Sequence, residues 1–74
     1  MTGSLGAARV RYSFNPSESS MVDKIKRYTA DLIDLCEEIK MKSDPNVSER
    51  WRLCALAQTA YEEAAMWAVK ADSL

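Results

Sequence analysis

At 74 residues with a net charge of −1 and no histidine, the chain holds one domain at most, and neither a histidine zinc site nor a duplex-wrapping surface suits it. Two cysteines are too few for a multi-disulfide framework, and no apolar run approaches the roughly 20 residues that span a bilayer. A chain this short buries only about 60% of its unfolded surface, and its core contributes roughly 3–5 kcal/mol. With 47% hydrophobic residues, self-association is the remaining source of stability.

Residues 1–8 (MTGSLGAA) carry small side chains and two glycines and read as a disordered tail. They lack the basic start and apolar run of a signal peptide, so an intracellular location with reduced Cys36 and Cys54 is expected. Residues 9–16 (RVRYSFNP) alternate with period two through Val10, Tyr12 and Phe14, the pattern of an extended arm with one apolar edge. Pro16 suits the first turn of a helix, and Ser17, Ser19 and Ser20 are all candidate caps. The first long helix is predicted over residues 17–42. Its core-facing stripe is Met21, Ile25, Tyr28, Leu32, Leu35 and Ile39, at alternating spacings of four and three. Residues 43–46 (SDPN) form the turn, because Pro45 cannot continue the ladder. The second helix is predicted over residues 47–71, with Asn46 and Glu49 in capping-box positions or Ser48 as the cap.

Two helices of similar length and a short turn imply an antiparallel pair. Facing residues then have numbers summing to about 90, which sets Ile39 near Trp51, Cys36 near Cys54 and Tyr28 near Tyr61 or Glu62. The open end gathers Lys24, Lys26, Trp67 and Lys70, and the arm brings Arg11, Tyr12 and Phe14 there. The second helix is more apolar than one partner requires: Leu53, Leu56, Ala60, Met66, Trp67 and Val69 spread beyond a single stripe. The fold class is therefore all-α: one helical-hairpin domain over 9–74, with an N-terminal extended arm, assembled as a homo-oligomer.

Charge is unevenly spread. Residues 1–27 carry five basic side chains against two acidic, and residues 28–74 carry five against nine. A local basic cluster on an acidic protein suits a small anion better than a polymer. Without histidine, the commonest general base is missing, and neither a phosphate loop nor a metal-binding carboxylate pattern is present, so no enzyme, metal or cofactor is expected. Glu62 and Glu63 point about 100° apart on a helix and cannot aim at one atom, so one is expected in solvent and one in an ion pair. Cys36 and Cys54 read either as a redox pair or as two small core residues, with the second favoured. Lys24, Lys26, Arg27 and Thr29 offer donors to phosphate, and Tyr12 and Phe14 offer faces for a base. The alternative for the two aromatics is a hydrophobic clasp on the hairpin end.

Arg-Tyr-Ser-Phe-Asn-Pro at 11–16, Ile-Lys at 25–26, and Leu56-Ala57-Gln58-Thr59 followed by Glu62-Glu63-Ala64-Ala65-Met66-Trp67-Ala68 resemble, in order and spacing, the phage anti-CBASS sponges that defeat cyclic-oligonucleotide immunity. The resemblance spans roughly residues 9–70. It implies a homohexamer in the host cell cytoplasm that sequesters cyclic dinucleotides such as cyclic GMP-AMP, and in some members cyclic trinucleotides, without cleaving them. It places base stacking on Tyr12, with Phe14 as competitor, a phosphate contact on Lys26 shared with Arg27, and a ligand contact on Thr29. The competing class is a helical protein-binding inhibitor or adaptor that uses the Trp- and Ala-rich face.

Overall fold

A computed structural model describes residues 4–11 and 20–74. They form three helices and no strand: α1 (Leu5–Val10), α2 (Met21–Lys40) and α3 (Val47–Asp72). α2 and α3 make the antiparallel hairpin, and α1 lies across its flank, mainly against α2.

Residues 5–10 form one short helix, so residues 5–8 are not the expected disordered tail, and Arg9 and Val10 are not part of the expected extended arm. Ser4 caps it by accepting from the Ala7 N–H at 2.9 Å, and Arg11 closes it in the left-handed region at φ 57°. The glycine taken as a mark of disorder serves close packing instead. A Cβ on Gly6 would overlap the Ala30 carbonyl oxygen and lie 2.6 Å from its carbon. Residues 12–16 of the arm and 17–19 of the first predicted helix lie outside the described residues.

α2 begins at Ser20, whose hydroxyl accepts from the Asp23 N–H at 3.1 Å, and Asp23 and Lys40 match the helix dipole at either end. The turn is held by Asp44, which accepts from the Asn46 N–H and pairs with Arg50, while Arg50 also donates to the Lys42 carbonyl at 3.1 Å. Asn46 is the cap residue of α3, but its side chain makes no capping bond, and Glu49 pairs with Arg52. The capping box therefore does not form; Asp44 and Arg50 organise this end in its place.

The antiparallel register agrees with the expected sum of about 90. Gln58 donates to the Ile33 carbonyl at 3.0 Å, the Lys40 ammonium sits 4.1 Å above the Trp51 ring, and Cys36 interacts with Cys54. The expected core stripe is not the seam. Met21, Tyr28, Leu32, Leu35 and Ile39 are all exposed, and only Ile25 packs against the core. The seam uses Ala30, Ile33 and Cys36 against Cys54, Gln58 and Ala65, with Val10 of α1 closing one side. Small residues let the helices approach closely, and the larger stripe lies about a third of a turn away from the seam. Among the described residues, Ile33 and Gln58 are the largest fully buried side chains. So small a core leaves the hairpin short of stabilising burial.

Gln58 is the polar pin of the seam. Its amide donates to Ile33 and, at 2.9 Å, to the Glu37 carboxylate, which Lys40 also meets at 3.3 Å. The Gln58 bond first, and Lys40 after it, hold the Glu37 carboxyl below its usual range. Burial, reinforced by the neighbouring Cys54, raises the Cys36 thiol, so it is protonated at neutral pH, as befits an inert core residue.

Candidate functional site

On the side of the hairpin that carries α1, a cleft of about 480 Å³ opens between the end of α1, the first half of α2 and the last turns of α3. That is within the size range of small-ligand sites. Its cations are Arg9 and Arg11 from α1, Lys26 from α2 and Lys70 from α3, and its apolar floor is Val10, Ala65, Met66 and Val69. Glu62 is the acidic residue of the lining.

Each side chain is delivered by ordinary helix geometry. Ala65, Val69 and Glu62 recur at spacings of three and four on one face of α3, with Met66 and Lys70 beside them. Lys26 lies one turn before Ala30, the residue on which Gly6 rests. Arg11 is a non-glycine residue in the left-handed region, a conformation that costs roughly 1–2 kcal/mol for a side chain bearing a Cβ.

Arg9 donates through Nε at 3.2 Å and Nη2 at 2.8 Å to one oxygen of Glu62, and its Nη2 lies 3.5 Å from the Thr59 hydroxyl. Glu62 and Glu63 divide as the helix geometry required: Glu62 takes the ion pair, and Glu63 is exposed, accepting from the Trp67 indole N–H at 3.4 Å. Among the described residues, no carboxylate pairs with Arg11, Lys26 or Lys70. Among the described residues, the cleft therefore sets three cations without a carboxylate partner against an apolar floor. Such walls focus the field and favour phosphate, while the floor accepts a flat apolar surface such as a base.

Of the residues singled out in the sequence, Lys26 lies in this cleft, together with Arg11 and Lys70 from the expected open end. Arg27 stands over the Tyr28 ring at 5.1 Å, and the Thr29 hydroxyl donates to the Ile25 carbonyl at 2.7 Å; neither lines the cleft. Tyr12 and Phe14 lie outside the described residues. Trp67 is exposed and not part of the lining. Arg9, and the floor made by Val10, Ala65, Met66 and Val69, were missed. Their signal was the helical spacing on α3 and the alanine pair before Arg9, which the reading of an extended arm concealed.

A helical hairpin with a cationic, apolar-floored cleft on its flank is, by class, a small-ligand-binding helical domain. The chain belongs to the Acb2/Tad1 hairpin-domain family, whose model matches residues 6–71. That family is the anti-CBASS sponge family, a group of binding domains and not of enzymes, and it implies a ligand among cyclic oligonucleotide messengers. No curated protein and no solved structure matches the chain. The matched segment begins within α1, so the flanking helix lies inside the family region.

Proposed function

We propose that this chain is a phage-encoded sponge that binds cyclic dinucleotides such as cyclic GMP-AMP in the host cytoplasm and withholds them from their receptors, leaving them uncleaved. Cyclic trinucleotides present the same phosphate and base chemistry. The observation that carries the reading is the meeting of Lys26, Arg11 and Lys70 over an apolar floor, with no carboxylate partner among the described residues. Phosphates take the charge-assisted bonds and a base takes the floor. Removal of the messenger then follows from mass action: binding sites in excess over messenger keep its free concentration low.

The working form in this reading is a homo-oligomer, a hexamer by resemblance. Its support is the large apolar surface outside the cleft: Tyr28, Leu32, Leu35 and Ile39 on α2 and Leu53, Leu56 and Trp67 on α3 are exposed, and none of them lines it. Large exposed apolar surface of this kind marks an interaction site. The same surface fits the adaptor reading, in which a host protein covers it. Sedimentation of the free chain separates the two: a multimer supports self-covering, and a monomer supports the adaptor. For the ligand, calorimetric titration of the intact chain with 3′,3′-cyclic GMP-AMP should give saturable binding and return the ligand at unchanged mass. Turnover of the ligand, or no heat of binding, contradicts the sponge.

A further inference from the structure

α1 contributes two of the four cleft cations, yet a helix of six residues has little stability of its own, so its position depends on how it is anchored. Two anchors are present. At the cleft end, Arg9 is tied to Glu62. At the far end, Gly6 sits on the backbone of Ala30 where no Cβ fits, and its N–H donates to the Asp34 Oδ1 at 2.7 Å. The first anchor is exposed to competition, because an anion entering the cleft draws on the same guanidinium that Glu62 holds. The second is not, because Asp34 is outside the cleft lining.

We infer that Asp34 is a positioning residue for anion binding: through the Gly6 N–H it fixes α1 so that Arg9 and Arg11 stand opposite Lys26 and Lys70 when the ligand loosens the Arg9–Glu62 pair. This rests on the cleft being the ligand site. The carboxylate satisfies a helix-start N–H that has no partner within α1, a bond strengthened by charge and by the helix dipole. Only acceptor capacity is required, so an amide oxygen at this position serves the same purpose.

The test titrates 3′,3′-cyclic GMP-AMP into the full chain and into Asp34→Ala, Asp34→Asn and Gly6→Ala, each at low and high ionic strength. Asp34→Ala and Gly6→Ala should bind about tenfold more weakly, as expected for losing one or two charge-assisted contacts, with the far-UV signal of α2 and α3 retained. Their affinities should also depend less on salt than the parent's, because two cations have left the site. Asp34→Asn should bind within about twofold of the parent. Parental affinity in Asp34→Ala overturns the inference and leaves the sponge standing. So does weakened binding in Asp34→Ala with the parent's full salt dependence, which indicates general destabilisation. A parent that does not bind the nucleotide removes both the sponge reading and the inference.

Discussion

The two broad sides of the hairpin come from similar helical patterning and finish with opposite character. On the α1 side, Val10, Ala65, Met66 and Val69 form a low floor, and four cations surround it. Elsewhere on the hairpin, Leu32, Leu35, Leu53, Leu56 and Trp67 are exposed, as is Tyr28 beneath the Arg27 guanidinium. A self-sufficient domain puts its large apolar side chains inside and its small ones wherever they fit. Here, apart from Ile33 and Gln58, the seam holds the small residues Ala30, Cys36, Cys54 and Ala65, and most of the large apolar residues face out. The arrangement suits a chain whose hydrophobic core is completed by other copies, which leaves the cleft available for ligand.

The strongest way to break this contrast is to charge the apolar side. Leu35→Glu and Leu56→Glu should each dissociate the assembly at micromolar concentration. Each buried leucine is worth about 1.5–3 kcal/mol and is repeated in every subunit. Analytical ultracentrifugation reads the effect; a parental sedimentation coefficient in both variants would place the interface elsewhere. Charge removal on the cleft side should have the complementary outcome. Lys26→Ala should weaken cyclic dinucleotide binding by about tenfold to a hundredfold, the range of a lost charge-assisted bond, with sedimentation unchanged.

Gln58 lies between the two sides, so its loss should damage both equally. Gln58→Ala removes the donor to Ile33 and Glu37 and leaves a small void, at a cost of about 2 kcal/mol measured by urea unfolding. Among the described residues its Oε1 has no partner, which moderates that cost. The same bond sets a pH dependence. Because the folded Glu37 carboxyl lies below its unfolded value of about 4.3, its contribution is present above that pH and is lost as pH falls through the depressed folded value. Urea unfolding repeated from pH 6 down to pH 3 should show the loss in the parent and a shallower slope in Gln58→Ala. The smallest expected effect is on stability at Arg11. Arg11→Gly relieves the left-handed backbone and should leave the melting temperature level or raised by a few degrees, about 1 kcal/mol at most. It should nonetheless weaken binding, a separation that a purely structural arginine does not produce.

The hairpin, its register and the apolar excess of α3 were legible because they rest on periodicity, the Pro45 turn and alanine-rich spacing. The rotation of α2 was not legible. Its stripe Met21–Tyr28–Leu32–Leu35–Ile39 is a true hydrophobic face, but periodicity does not say whether such a face meets its own hairpin or another chain. The seam is carried by alanine, cysteine and one glutamine, residues with weak hydrophobic signals. α1 was hidden for a related reason: Gly6 is also the mark of a loop, and only its contact with Ala30 shows its packing role. Lys26 emerged from charge and resemblance, whereas Arg9 and the floor of the cleft required the position of α1.

In the proposed function, copies join through exposed apolar surface, and an anionic nucleotide is held in the cationic cleft. Native mass spectrometry of the intact chain, alone and with 3′,3′-cyclic GMP-AMP, measures both halves at once. The account predicts a closed multimer that gains the mass of unaltered ligand. A monomer at micromolar concentration, or a multimer that takes up no ligand or releases it hydrolysed, would contradict it.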